Sequence, residues 1–278
     1  MSVNTHTTPE DLTIQVRDLK FQDAAQSPRW WHGGDPVATA FFNALSALFP
    51  QGERFFIDSV KRYRNCGSPK LQEQIAAFIT QESLHTREHL AFNRIATDHG
   101  YDLKPIDNFL KRRLGWARSR SHIKQLAATM ALEHFTAILA HALLEDPAYI
   151  DQAPEPIQRL WRWHAIEEIE HKAVAFDTFM AAAKNMSPLR RWFMRSAVMV
   201  FATVLFLHTI FLGAKVLFRQ DGINTPKTWL RFLNYVFVKP GMFRRVLDAY
   251  FTFYKPGFHP WHVDDRRLIA EFIPSIAA

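Results

Sequence analysis

Cysteine is nearly absent: Cys66 is the only one in 278 residues. That excludes a disulfide scaffold and any thiolate zinc or iron–sulfur site, and it fits a reducing compartment. Glycine is scarce, with ten residues, which excludes collagen-like and Gly-rich repeats. No Gly-rich phosphate loop is present and no pair of segments reads as a hairpin. Only Leu12–Arg17 alternates, and it is expected to form a short strand. The first eleven residues hold no apolar run, so they do not read as a secretory leader. Acids are sparse late in the chain: residues 184–248 carry eleven Lys and Arg against Asp221 and Asp248. The net charge of +7 suits an anionic membrane surface or nucleic acid. No zinc finger, RNA-binding sheet motif or basic zipper accompanies the charge, which argues against nucleic acid.

What is abundant is apolar and aromatic. The chain is 48% hydrophobic and holds 24 Phe and 8 Trp against 6 Tyr, with 13 His. Wholesale disorder is therefore excluded. Proline and capping residues punctuate it as helices. Residues 1–34 read as an irregular arm. Asp35-Pro36 opens a helix that Pro50 should stop at about Phe49, and a second stretch runs from Glu53 to about Arg64. Ser68-Pro69 opens a long helix over about 69–99, stopped by Gly100. Residues 101–118 form a basic connector with room for a short helix. Ser121 opens a helix to about Glu145, and Pro154 and Pro156 open another to about Lys184. The expected organisation is an arm (1–34), an all-α bundle (35–185) and an apolar, then amphipathic, C-terminal region (186–278).

Charges interrupt the apolar stripes of these helices. Steps of three and four from Pro69 give Leu71, Ile75, Phe78, Glu82, His85, His89, Phe92 and Ala96. From Pro156 they give Ile157, Leu160, His164, Glu168, His171 and Ala175. The helix between carries Leu126, Met130, Glu133, Ala137 and Ala140, and the first element supplies Glu53 beside Phe55 and Phe56. A charge on a core-facing stripe is costly unless it is paired or bound to metal. In chain order the set is Glu53, Glu82-x-x-His85, Glu133 and Glu168-x-x-His171. This is the ligand order of ferritin-like di-iron and di-manganese carboxylate bundles. A Glu and a His three residues apart share a helix face and reach one ion, and four carboxylates offset two divalent cations. The expected fold is thus all-α, a ferritin-like four-helix bundle with a di-metal centre and a C-terminal helical appendage. The expected cofactor is two divalent ions, iron before manganese or zinc. His89 and His164 lie on the same stripes, as further ligands or hydrogen-bonding support. His141 is a weaker supporting candidate, and Glu167 competes with Glu168 because it shares a face with His164 and His171. His134 and Glu170 fall on other faces.

The strings Ala44–Phe56, Gln81-Glu82-Ser83-Leu84-His85, Glu133-His134-Phe135-Thr136 and Trp163–Lys172 resemble the bacterial family named predicted metal-dependent hydrolase, over about residues 12–262. The resemblance implies a metal-dependent enzyme. The ligand pattern is also similar, more distantly, to di-iron N-oxygenases with an extra histidine.

Ser196–Ala214 runs for 19 residues without a charge, at the lower edge of a membrane span. Four basic groups fall within twenty residues on each side, so charge gives no orientation. A helix dipping into one leaflet fits best, with Trp229–Val238 returning and Phe243–Tyr254 amphipathic at the interface. The other reading is a core helix. His259 and His262, around Pro260-Trp261, read as a surface turn. The leading functional expectation is O₂-dependent oxidation of a hydrophobic, lipid-like substrate at the inner-membrane surface, on the cytoplasmic side. Hydrolysis of an ester or phosphoester is the second expectation and metal storage the third; a homodimer is compatible with each.

Overall fold

In a computed structural model, described here for residues 7–276, Asp35 Oδ1 accepts from the Val37 N–H at 2.8 Å. Pro36 follows at the first helical position, where its missing N–H and fixed φ cost nothing. The resulting helix, α1 (Pro36–Lys61), runs through Pro50 without a break. The expected stop is therefore corrected. A proline normally strands the carbonyl four residues back; here Asn93 Nδ2 donates to the Ser46 carbonyl at 3.2 Å, so the helix continues and carries Glu53 into the core. Ser68 caps α2 (Pro69–Asp98) by accepting from the Leu71 N–H. The basic connector is a full helix, α3 (Lys104–Arg118), followed by α4 (His122–Glu145).

The last bundle helix is two: α5 (Glu155–His171) and α6 (Val174–Ala182). The break falls at Lys172, whose buried ammonium is drawn aside to Asp265 Oδ2 at 2.5 Å and the Val263 carbonyl at 2.8 Å. Helices α1, α2, α4 and α5–α6 pack around one apolar core. The expected all-α bundle is observed, and no strand occurs among the described residues. Leu12–Arg17 is extended but pairs with no other strand. Carboxylates take its backbone donors instead, Glu170 Oε2 from the Gln15 N–H at 3.2 Å and Glu167 Oε1 from the Arg17 N–H at 3.1 Å.

The C-terminal region comprises α7 (Pro188–Gln220), α8 (Pro226–Phe237), α9 (Met242–Arg245), α10 (Leu247–Thr252) and α11 (Arg266–Phe272). The amphipathic stretch expected at 243–254 is thus two short helices. Helix α7 packs mainly on α1 and α4 and buries Met199, Ala202, Phe206, Ile210, Gly213 and Leu217, with Arg195 buried nearer its start. Its other face leaves Leu189 73%, Phe193 68%, Val200 53% and Val204 64% exposed. The uncharged run is thus buried along one face and exposed along the other. By contrast α4, also long and apolar but less strongly so than α7, is 78% buried along its most apolar stretch. The turn around Pro260 is at the surface only in part: His262 is exposed, whereas Trp261 is fully buried and His259 is 4% exposed.

Helices α1 and α7 touch at Gly213, where an added Cβ would stand 2.7 Å from the Ala44 Cβ. Both partners are backbone-proximal and cannot rotate away. Gly213→Val is expected to destabilise the fold by about 1–3 kcal/mol, the usual range for overpacking. Denaturant melts of the two proteins check this; unchanged stability would mean the helices separate freely.

Candidate metal centre

Each residue expected at the centre is buried: Glu53, Glu82, His85, Glu133, Glu168 and His171 are between 0% and 3% exposed. Four helices deliver them, with α5 and α2 each giving a Glu and a His one turn apart. Glu82, Glu133, Glu168 and His171 place one donor atom each within 4.8 Å of one another, and Glu53, Glu82 and His85 do the same. Glu82 is common to both groups. Glu168 also joins His85 and His164, and His164 joins Glu53 and His89. The arrangement is two overlapping cation pockets that share walls.

The satisfied and unsatisfied atoms sort sharply. Glu53 Oε1, both oxygens of Glu82, both of Glu133 and Glu168 Oε2 are buried with no hydrogen-bond partner, as are His85 Nδ1 and His171 Nε2. Eight orphaned donor atoms thus come from six residues. Buried polar groups are rarely left so, and a cluster of carboxylate oxygens with two imidazole lone pairs fits a pair of cations. The contacts of His171 Nε2 with Glu82, Glu133 and Glu168 are 3.2–3.5 Å.

The far sides of these groups are held. His171 Nδ1 pairs with Gln81 Oε1 at 2.9 Å, and Gln81 Nε2 donates to Glu170 Oε2 at 3.1 Å. His85 Nε2 pairs with Glu167 Oε2 at 3.0 Å. Arg17 bridges outward, with Nη2 to Glu170 Oε1 at 2.6 Å and Nη1 to Glu167 Oε1 at 3.5 Å. Glu167 therefore supports His85, while Glu168 faces the pocket. Glu53 Oε2 accepts from Thr86 Oγ1 at 2.8 Å. Ser46 Oγ pairs with His89 Nδ1 at 2.9 Å, His89 Nε2 meets His164 Nδ1, and His164 Nε2 reaches Glu168 Oε1 at 2.8 Å. His141 lies elsewhere, with Nδ1 on Asp265 Oδ1 at 2.9 Å. That contact turns it toward the Lys172 ion pair and away from Glu133.

Electrostatics follow from burial and crowding. Burial, then the neighbouring Glu82 carboxylate, pushes Glu133 up to about 8. The same two causes drive Glu53 well above the usual carboxylate range. Burial opposes charge on Glu168 as well, yet His171 and the bonds from His164 and His85 hold it well below that range. Burial likewise opposes an imidazolium at His85, but Glu167 and Glu168 raise it to about 10. His164 falls to about 4 through burial and the adjacent His85. Without cations, protons stand where positive charge is wanted.

Beside the centre lies a small cavity of about 40 Å³. Its walls include Phe42, Leu45, Phe49, Leu139, Trp161 and Phe206, and it touches His164 and Glu168. Arg17, Gln81, Thr86 and Ser46 were not legible as site residues. Gln81 stands next to Glu82 in sequence, which is a faint signal, but Arg17 reaches the centre across 153 positions.

A family profile described as predicted metal-dependent hydrolase matches residues 15–264, most of the chain. No curated protein and no solved structure matches the chain significantly.

Proposed function

The chain belongs to the predicted metal-dependent hydrolase family, and from that premise we propose a dinuclear metal enzyme that uses O₂ to oxidise a hydrophobic substrate. The observation that carries the reading is the set of eight orphaned donors on Glu53, Glu82, His85, Glu133, Glu168 and His171. Glu82, Glu133, Glu168 and His171 would hold one ion, and Glu53, Glu82 and His85 the other. Four carboxylates balance two divalent cations, and an oxygen-rich set with imidazoles and no thiolate suits iron, with manganese and zinc as lesser fits. Bound iron would supply the electrons for O₂ chemistry.

The protein's own groups define what can happen there. Glu167 and Gln81 hold the two imidazoles so that His85 Nδ1 and His171 Nε2 face inward; such support fixes tautomer and orientation. His164, kept neutral at physiological pH by burial and the adjacent His85, links His89 to Glu168 and positions that carboxylate. The apolar cavity beside His164 and Glu168 supports a small apolar reactant over a charged ester. Hydrolysis remains the second reading, favoured by the family's description; there, two ions would activate a water. The test is to load the full chain with iron, reduce it without air, admit O₂ and follow the near-ultraviolet and visible spectrum. An absorbance transient with O₂ uptake is expected. No transient, with ester or phosphoester turnover by the zinc form, would turn the assignment to hydrolysis.

The exposed face of α7 supports a place at the inner-membrane surface. Phe201 stacks near Trp116 of α3, with centroids 5.0 Å apart. Tyr250 of α10, bonded to Thr203 at 2.9 Å, adjoins Phe251, which is 61% exposed. The apolar strip is thus broader than one helix, and Arg190, Arg191, Arg112 and Arg113 lie on the same two helices, α7 and α3. Apolar insertion flanked by cations is the composition of an interfacial surface.

A further inference from the structure

At the metal centre the orphaned atoms of the ligand set are carboxylate oxygens and imidazole nitrogens; at a second place they are guanidinium and amide nitrogens that donate. A cleft of about 1130 Å³ opens where the first turns of α7 meet α2, α6 and the segment before Pro260. Its apolar walls are Leu71, Phe176, Met180, Leu189, Trp192 and Phe258. Three buried nitrogens on residues lining it have no acceptor among the described residues: Arg195 Nε, Arg191 Nε and Gln74 Nε2. Arg195 is 5% exposed and Gln74 8%.

Arg195 is an unusual cation. Its guanidinium lies 5.2–5.8 Å from the rings of Phe176, Phe253 and Phe258, and Nη2 donates to the Lys255 carbonyl at 2.8 Å. Among the described residues no carboxylate forms an ion pair with it or with Arg191. The acids of the cleft are engaged or peripheral. Asp177 accepts from Thr8 Oγ1 at 2.6 Å and pairs with His259 Nε2 at 3.0 Å, and Glu10 lies exposed at the rim. A buried charge without a counter-charge costs several kcal/mol by order of magnitude, and burial alone pushes this guanidinium down to about 10. Folded proteins keep such a group where something binds it.

We propose that this cleft binds a single-chain anionic amphiphile, a long-chain carboxylate, with its head on Arg195, Arg191 and Gln74 and its chain along the apolar walls. Arginines four residues apart share a helix face, and guanidinium donors match a carboxylate's two oxygens. The volume exceeds the upper end of about 1,000 Å³ for drug-sized ligands, which leaves room for a chain. Leu189 and Trp192 at its mouth are also on the exposed side of α7. None of its lining residues is a donor at the metal centre, so the proposal does not depend on the metal assignment.

The test is calorimetry on the full, metal-loaded chain with palmitate, and with hexadecanol as the uncharged analogue. Palmitate should bind at least about tenfold tighter than the alcohol, since hydrogen bonds to charged groups contribute roughly that much. Arg195→Met should abolish this preference, and Arg195→Lys should keep part of it. If Arg195→Met does not fold, the paired change Arg191→Met and Gln74→Leu, on more peripheral atoms, should reduce the preference in a protein with an unchanged melting curve. Metal-free and metal-loaded protein should bind alike. Equal affinity for acid and alcohol in the wild type, or a preference that survives Arg195→Met, would overturn the site. Acetate competing as well as palmitate would reduce it to a small-anion site. Phosphatidylglycerol vesicles displacing palmitate would reassign it to a bilayer headgroup.

Discussion

Glu82→Ala and Glu168→Ala, each saturated with iron or manganese, should hold less than about one ion per chain where the wild type holds about two. Glu82 stands in both donor groups, and Glu168 stands in the one with Glu133 and His171 and again beside His85 and His164, so either loss removes a donor from the part of the cluster where the groups overlap. Loss of Glu133 or Glu53 should instead weaken one ion more than the other. Glu167→Gln, which alters the support of His85 Nε2, should cost about 10–100-fold in metal affinity without abolishing binding. His141→Ala should change neither, because its ring pairs with Asp265. Metal analysis of the purified, reloaded proteins reads all of these. Full occupancy in both alanine variants would sink the ligand assignment.

The same cluster makes metal removal a pH-dependent event. Glu133 is raised from an ordinary 4.5 to about 8 and Glu53 is also raised, by burial and then by Glu82. These carboxyls carry protons in the metal-free protein that incoming cations must displace, so metal uptake should weaken as pH falls below about 8. For stability the sign runs through the folded-state values. A carboxyl raised on folding contributes stability below its unfolded value, and that contribution is lost as pH rises through the folded value. His85, raised to about 10, acts in the same direction from its unfolded value upward. Metal-free protein should therefore melt at a lower temperature at about pH 9 than at about pH 7, and loaded protein should show a much smaller difference. Equal pH dependence with and without metal would mean that the carboxylates are not gathered as described.

Phe193→Asp combined with Val204→Asp should move the protein from the membrane fraction to the soluble one. Both side chains are about two-thirds exposed, at 68% and 64%, so their loss removes little packing, and surface changes usually stay within about 0.5 kcal/mol of stability. A charge at a bilayer's centre costs about 2.5–3.5 kcal/mol and less at the interface, so two should lower partitioning by more than tenfold, on the order of 2 kcal/mol together. Basic neighbours add on the order of 1 kcal/mol each at an anionic surface, weakened by salt. Wild-type membranes should accordingly resist a salt wash and release the protein in detergent. A wild type that is soluble and monodisperse without detergent would assign the strip to a second copy of the chain. Protease cleavage of the tail only from the periplasmic side would overturn the one-leaflet placement.

The amino-acid sequence determined the helices and the polar set at their centre, because both are written in local spacing. A 3.6-residue period exposes which face is buried, and a carboxylate on that face is legible because burial without a counter-charge is costly. That is why Glu53, Glu82, His85, Glu133, Glu168 and His171 could be named before any packing was known. It did not determine whether Pro50 ends α1. That rested on Asn93, 43 positions away, supplying a donor to Ser46. Nor did it reveal that the last bundle helix breaks at Lys172, whose ammonium pairs with Asp265, or that Arg17 braces Glu167 and Glu170 from the N-terminal arm. Tertiary structure alone decided that α7 buries one apolar face and exposes the other, since a helix apolar all round carries no periodicity to tell them apart. It alone also put Arg195 among three phenylalanines in a cleft that Gln74 also lines. A contact between residues more than a hundred positions apart leaves no spacing in the chain, and only the folded core brings its partners together.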